Sequence, residues 1–293
     1  DSSVTGGFVG AVPGSGVGGG NQQCLYNNPG GATSHGTNVV DVVCDIAPNS
    51  RAFGWTVSDA ASLTTAINNI RLSNNVAGIT NNTYDVILIA LDLGANTSAG
   101  DGTGVGLSAG TNFYQAISDA RAAGIVVVAS AGNNGNGALG SRYVSFTLGA
   151  GASANITTTA PAGARVNISW SAWSTTTDIS ASLTGAGNKP GRAAHGNIPG
   201  YSFTATSANP TLTVNNNLGG GALTVQVQVT FGTITGGVTP LATGTLARPA
   251  DSPDVLAVGA VCANQSARYP RLSDSSVGPA FAAGGTGPAT PRA

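Results

Sequence analysis

Residues 111–134 read TNFYQAISDARAAGIVVVASAGNN and contain the pattern that decides the fold. The first part, residues 111–123, has the spacing of a helix and is followed at once by Gly124, which favours a helix end. Residues 125–131, IVVVASA, form the continuous apolar run that is typical of a parallel strand buried on both faces. A helix that leads directly into such a strand predicts a layered α/β fold.

The same alternation extends over the first half of the chain. Residues 85–91, DVILIAL, predict another strand that is buried on both faces. Residues 35–44 and 59–72 predict helices, and the second of these is capped by Ser58 or Asp59. Strand, helix and strand in this order predict right-handed crossovers within one sheet.

The middle of the chain has a different pattern. From about Ser141 to Leu246 the residues alternate in runs such as VSFTLGAG and LTVQVQVTF, which predicts an antiparallel β-sandwich of about eight strands. Residues 255–261, VLAVGAV, again predict a buried parallel strand. We therefore expect residues 142–247 to form an inserted sandwich domain. The α/β domain that it interrupts would consist of residues 1–141 and 248–293.

Charge and hydropathy patterning argue against two classes of partner. The 293 residues carry 11 Lys and Arg against 12 Asp and Glu, which gives a net charge of −1. Nucleic-acid affinity needs more positive charge than this, so no nucleic-acid partner is expected. No run of about 18 apolar residues predicts a membrane span, so no membrane partner is expected either. The chain has no Met, which indicates a processed product or an excerpt.

The three cysteines, Cys24, Cys44 and Cys262, are too few for a disulfide scaffold. Two interpretations stay open. One is a single disulfide bridge with one free thiol. The other is three buried thiols that pack as small apolar side chains.

Polar residues at two junctions of the predicted elements are candidates for chemistry. His35 begins a helix, and it is one of two histidines that could act as a general base. Asn133 follows a buried strand, and an amide at that edge of a sheet can donate to a developing oxyanion. Each also has an ordinary interpretation, His35 as a surface or capping residue and Asn133 as a turn residue. The other histidine, His195, lies in a predicted loop. Asp1, taken alone, indicates nothing.

Four phrases in chain order carry a resemblance to a known family. They are SHGTNVVDVVCDIAP from Ser34, ISDARAAGIVVVASAGNNG from Ile117, RPADSPDVLAVGAV from Arg248 and SDSSVGP from Ser273. Together they resemble the histidine motif, the oxyanion-asparagine segment, the proline-alanine turn with its strand, and the S-S-x-G-P phrase of the subtilisin-like serine peptidases. Asp1 begins a D-S-S-V string that is similar to the aspartate motif of that family.

The resemblance implies a subtilisin-like three-layer α/β fold with a mostly parallel sheet, interrupted by the sandwich. It also implies a serine endopeptidase that hydrolyses polypeptides through an Asp-His-Ser triad. Asp1 would orient and stabilise the imidazolium, His35 would be the general base and acid, and Asn133 would stabilise the oxyanion.

The resemblance further implies where a substrate would bind. Leu93 and Gly94 would form one wall of the cleft, and Ser130, Ala131 and Gly132 would form the other. An extended polypeptide substrate would bind between such walls by strand addition.

No cofactor and no catalytic metal are implied, and we expect a monomer. Structural calcium stays open for Asp178, Asp251 and Asp254, but they are scattered and form no D-x-D-x-D loop. Asp92 stands where the family has the serine of S-L-G. It would either favour basic substrate side chains or point away from the substrate, and we expect the second.

The nucleophile departs from the family pattern G-T-S-x-A-x-P. The nearest string is GTGPATP at residues 285–291, where Gly287 would take the place of the serine, and it follows too closely after Pro279. We expect the chain to stop before the serine motif, with Ser275 and Ser276 belonging to the S-S-x-G-P phrase. The alternative is a catalytically inactive pseudopeptidase that binds peptides or surfaces.

The middle block loosely resembles the β-sandwich insertions of some bacterial subtilisin-like peptidases. The strings that carry this resemblance are NISWSAW and TTDISASL. This implies an extracellular, bacterial protein, in keeping with abundant Gly, Ser, Thr and Asn. Trp170 and Trp173 are expected to be one core and one surface aromatic. A weaker interpretation makes the block a carbohydrate-binding module.

Overall fold

A computed structural model describes the elements of the chain that bear on these expectations. The described residues are 7–13, 25–27, 34–47, 50–72, 75–76, 79–80, 84–94, 102, 104, 107–134, 142–170, 179–186, 200–217, 221–241, 245–261 and 275.

Three helices and sixteen strands lie within these residues. In chain order they are β1 (Gly7–Pro13), β2 (Leu25–Asn27), α1 (Ser34–Ile46), β3 (Ser50–Trp55), α2 (Ala60–Leu72), β4 (Asn75–Val76), β5 (Ile79–Thr80), β6 (Val86–Ile89), α3 (Phe113–Ala122), β7 (Val126–Ser130), β8 (Tyr143–Leu148), β9 (Ser153–Thr159), β10 (Arg165–Trp170), β11 (Ile179–Leu183), β12 (Gly200–Thr204), β13 (Thr211–Asn216), β14 (Leu223–Val229), β15 (Thr233–Gly236) and β16 (Leu256–Val258). None of the helices described is long and apolar enough to cross a membrane.

Six strands form a mixed sheet in the order β16-β7-β6-β1-β3-β2. β16, β7 and β6 are parallel neighbours, as the apolar runs predict. β2 is parallel to β3. β1 lies between β6 and β3 and runs antiparallel to both. This strand was not predicted, because its sequence GFVGAVP holds two glycines and a proline, residues that are depleted in strands.

The three predicted helices are confirmed, and local contacts cap the start of α2 and both ends of α3. The Asp59 carboxylate accepts from the Ser62 N–H at 2.8 Å, so Asp59 caps α2. The Asn112 side chain accepts from the Gln115 N–H at 3.1 Å and caps α3. After α3 the chain turns at Gly124, whose φ of +87° belongs to the left-handed region that glycine tolerates.

Helices cover both faces of the sheet at β6. Ile87 packs in a cluster with Ile67 of α2 and Ile117 of α3. The next residue, Leu88, faces the opposite side and packs against Val40 of α1. Successive strand residues point to opposite faces, so α1 lies on one face and α2 with α3 on the other. The chain therefore has three layers at this point.

The burial predicted for both faces of residues 125–131 and 255–261 is wrong at β7 and β16. Val126, Leu256 and Val258 keep 51%, 61% and 51% of their surface exposed. α1 packs against β1 and β3, towards the other end of the sheet, so this face of β7 and β16 is not covered by it. An apolar run predicts a strand, but it does not determine whether a helix covers both faces of that strand.

The middle block folds into two antiparallel four-stranded sheets with the orders β12-β10-β14-β8 and β11-β13-β9-β15. The predicted sandwich is thus confirmed in architecture and strand number. Its own hydrophobic cluster includes Ile156, Ile168, Leu212 and Val227, all with no exposed surface. Trp170 belongs to this core and packs on Tyr201, with ring centroids 5.4 Å apart.

Candidate active site

His35 lies in the first turn of α1 and reaches the carboxyl end of β6. Its Nε2 is 3.0 Å from the carbonyl oxygen of Ala90, the residue that follows β6. A carbonyl oxygen can only accept, so Nε2 carries a proton here and donates it. Nδ1 is then the ring nitrogen that can accept a hydrogen bond. The imidazole itself is exposed.

The residues after β7 lie at the same edge of the sheet. β6 and β7 pair in parallel with Ile89 opposite Ala129, so both strands end side by side. Asn133, three residues beyond β7, is exposed, whereas Asn134 is buried. The Asn134 amide donates to the carbonyl of Thr245 and to Asp92 Oδ2, both at 3.3 Å. The first asparagine thus faces solvent and the second holds the loop.

The chain's own segment at Ala247 and Arg248 joins the two predicted cleft walls. The Leu93 N–H donates to the Arg248 carbonyl at 3.1 Å, and the Ala247 N–H donates to the Ala131 carbonyl at 2.8 Å. The Ala131 N–H donates to the carbonyl of Val258 at 2.8 Å. These backbone groups of Leu93 and Ala131 are therefore engaged within the chain. A substrate that adds as a strand must use other groups of the same segments.

The glycines of the two walls adopt positive φ, +86° at Gly94 and +102° at Gly132. A side chain at either position would strain the backbone. The Gly94 N–H donates to Asp92 Oδ1 at 2.9 Å, which closes a tight turn after β6. Gly94 is buried, and Ser130 and Gly132 are half-buried.

The Asp92 side chain turns towards the sandwich. Its Oδ2 accepts from Gln228 Nε2 of β14 at 3.1 Å, in addition to Asn134. Its Oδ1 holds Gly94. Both carboxylate oxygens are thus occupied by donors of the chain. This agrees with the expectation that Asp92 points away from a substrate.

A buried polar cluster that sequence reasoning missed lies at the junction between the sheet and the sandwich. Arg248 is 1% exposed and Asp251 is 4% exposed. The Tyr114 hydroxyl of α3 lies 2.8 and 2.6 Å from the two oxygens of Asp251, and Arg248 Nη2 donates to Gln226 Oε1 of β14. Arg248 also hydrogen-bonds Tyr143 of β8. No sequence signal brings Tyr114 and Asp251 together, because 137 positions separate them.

Charge in this cluster is balanced within the protein interior. Burial raises the pKa of Tyr143 to about 12, against the opposing effect of Arg248, so this tyrosine stays neutral near pH 7. Burial alone would lower the pKa of Arg248. The hydrogen bond with Tyr143 and the Asp251 carboxylate oppose this effect of burial, and the pKa of Arg248 lies above its ordinary value. The guanidinium therefore keeps its charge.

The described residues contain no group of three or more His, Cys, Asp or Glu side chains that could hold a metal ion. Two of the scattered aspartates already have partners. Asp251 accepts from Tyr114, and Asp254 pairs with Arg121 at 2.6 Å. Asp178 lies outside the described residues.

Ser275 is 2% exposed, and its Oγ accepts from the Ala260 N–H at 3.0 Å. This burial agrees with the expectation that Ser275 is not a nucleophile. Other candidates lie outside the described residues; they are Asp1, Trp173, His195, Ser276 and residues 285–291.

Cys44 is disulfide-bonded. The interpretation of three buried free thiols is therefore wrong, and at least one bridge is formed. Cys24 and Cys262 lie outside the described residues.

Comparison with known proteins does not assign the chain to a family. No protein-family model matches it, and no curated protein matches it. The resemblance to subtilisin-like peptidases rests on the four sequence phrases.

Proposed function

We propose that this chain supplies most of the catalytic apparatus of a secreted bacterial subtilisin-like serine endopeptidase, with the nucleophilic serine outside these 293 residues. The observation that carries the proposal is the position of His35. It begins α1 and contacts the carboxyl end of β6, beside the strand β7 whose end leads to Asn133. The carboxyl edge of parallel strands is where α/β proteins bind ligands.

We further propose that residues 1–141 and 248–293 form the peptidase domain and residues 142–247 an inserted domain. Two separate hydrophobic clusters support this division. One runs from Phe53 to Ala129 and includes Ala250, and the other runs from Val144 to Ile234.

In the proposed reaction the serine Oγ attacks the peptide carbonyl carbon while His35 Nε2 takes its proton. Asn133 donates to the oxyanion, and Asp1 orients the imidazolium. His35 then passes the proton to the leaving amine, and water hydrolyses the acyl-enzyme. Because Nε2 donates to the Ala90 carbonyl here, the imidazole must leave that contact before it can act as a base.

The same contact favours a second candidate function. An imidazole whose Nε2 proton is held by a backbone carbonyl is not placed to take a proton from a nucleophile. A catalytically inactive pseudopeptidase that binds peptides or surfaces accounts for that arrangement directly.

Labelling with a fluorophosphonate separates the two functions. We expect the complete translation product of the encoding gene to be labelled once, at a serine outside residues 1–293, and the 293-residue chain to stay unlabelled. A label mapped to one of these 293 residues would contradict our assignment of the nucleophile. A complete product that neither takes the label nor cleaves peptides would support the binding module.

The two neighbouring asparagines allow a matched test of the oxyanion role. Asn133→Ala in the complete product is expected to lower kcat about 10²–10³-fold, the range known from the oxyanion asparagine of subtilisin itself. The melting temperature should stay unchanged, because Asn133 is exposed. Steady-state kinetics on a peptide substrate measures kcat, and thermal melting measures the melting temperature.

Asn134→Ala is the control. Its buried amide holds Asp92 and Thr245, so this change is expected to lower the melting temperature. Equal kinetic losses in the two variants would contradict a specific role of Asn133.

A further inference from the structure

We propose that the inserted sandwich positions the candidate substrate cleft through two glutamines of β14, Gln226 and Gln228. The expected effect on substrate binding rests on the proposed peptidase function, whereas the hydrogen bonds described below do not depend on it. β14 is an inner strand of its sheet, paired with β10 on one side and β8 on the other. Gln226 and Gln228 are two residues apart, so they project from the same face of this strand.

Gln228 holds the first wall of the cleft. Its Nε2 donates to Asp92 Oδ2 at 3.1 Å, and Asp92 Oδ1 accepts from the Gly94 N–H at 2.9 Å. The carboxylate thus transmits the position of β14 to the turn that contains Leu93 and Gly94. Asp92 is half-buried, so its hydrogen bonds are less weakened by water than those of a surface carboxylate.

Gln226 holds the segment that joins the two walls. It is 2% exposed, and its Oε1 accepts from Arg248 Nη2 and, at 3.2 Å, from the Ser169 hydroxyl. The backbone carbonyl of Arg248 in turn accepts from the Leu93 N–H. Gln226 therefore holds Arg248 together with Tyr143 of β8, and Arg248 holds the first wall.

The second wall is tied into the same network. The Ala247 N–H donates to the Ala131 carbonyl, and Asn134 joins Asp92 to the carbonyl of Thr245. The ends of β6 and β7 and the segment before Arg248 thus form one connected unit. Its contacts with the sandwich include Gln226 and Gln228 of β14 and Tyr143 of β8. These glutamines are positioning residues, since they act through Asp92 and Arg248.

Amide hydrogen exchange on the 293-residue chain tests the positioning directly. We expect Gln228→Leu to speed the exchange of the Leu93 and Gly94 amides about tenfold or more, because local opening becomes easier. Gln228→Lys keeps a donor to Asp92 and should restore slow exchange. The amide of Phe146 in the sandwich core should be unaffected in both variants.

Thr213→Val is the matched control. It removes a hydrogen bond of the sandwich, from the Thr213 hydroxyl to Asn155 at 2.8 Å, on the sheet that does not contain β14. Unchanged exchange at Leu93 and Gly94 in Gln228→Leu would overturn the proposal. So would an equal increase in Thr213→Val, since that would indicate a general loss of stability.

Kinetics of the complete gene product test the consequence. Gln228→Leu is expected to raise KM about tenfold with kcat changed less than about threefold, and Gln228→Lys should reverse the change. Equal KM values for Gln228→Leu and the unaltered protein would overturn the positioning role. If the unaltered complete product cleaves no peptide, the proposed function fails, and the exchange experiment still decides whether the glutamines hold the cleft segments.

Discussion

Replacing Arg248 by methionine is expected to lower the free energy of unfolding by about 3–5 kcal/mol. The guanidinium is 1% exposed, and its loss removes a donor from Gln226 and the positive charge that acts on the buried Asp251 carboxylate. Methionine fills a similar volume but donates nothing to Gln226. Urea denaturation followed by tryptophan fluorescence measures the loss, because Trp170 lies in the core of the sandwich and Trp55 packs on the core of the α/β part.

An exposed arginine provides the control. Arg121 pairs with Asp254 at 2.6 Å, but its side chain is 61% exposed, so Arg121→Met is expected to cost less than about 1 kcal/mol. Combining Arg248→Met with Asp251→Asn removes both buried charges and should cost less than the sum of the single changes. A loss from Arg248→Met no larger than that from Arg121→Met would contradict a buried, charge-balanced cluster.

His35→Ala in the complete gene product is expected to lower kcat by a factor on the order of 10⁶, the magnitude known for the triad histidine of subtilisin itself. The reason is that the proposed triad would then lack its general base. Steady-state kinetics with a chromogenic peptide substrate measures the loss in kcat. KM should change little, since His35 would contribute to the transition state and not to ground-state binding.

The chain offers its other histidine as the control. His195→Ala should leave kcat unchanged, because His195 lies in a predicted loop outside the four family phrases. If His35→Ala retains activity within about tenfold of the unaltered enzyme, His35 is not the general base. The pseudopeptidase interpretation would gain support if the unaltered product were inactive as well.

Much of the fold could be predicted from local pattern. The apolar runs at residues 85–91, 125–131 and 255–261 correspond to β6, β7 and β16, which pair in parallel. The period-2 runs correspond to the two antiparallel sheets of the sandwich. These predictions succeed because side-chain periodicity follows directly from backbone geometry. β1 escaped prediction because it holds two glycines and a proline, and only its pairing with β3 and β6 shows it to be a strand.

The candidate site was predicted in part. His35 and Asn133 were named from their positions at element boundaries, and the structure brings both to one edge of the sheet. Asp1 lies outside the described residues, so its role stays a prediction. Gln226 and Gln228 belong to no motif, and the place of Arg248 in a family phrase does not reveal its contact with Gln226, because these partners are distant in sequence.

The sequence by itself determined the three helices, the parallel strands with continuous apolar runs and the antiparallel strands of the middle block. Only the tertiary structure decided which faces of the strands are buried, where the Asp92 side chain points and which hydrogen bonds join the sandwich to the rest of the chain. The physical reason is the distance along the sequence over which each effect acts. Periodicity and capping act between residues a few positions apart, whereas burial and charge pairing act between groups such as Tyr114 and Asp251, which meet only after folding.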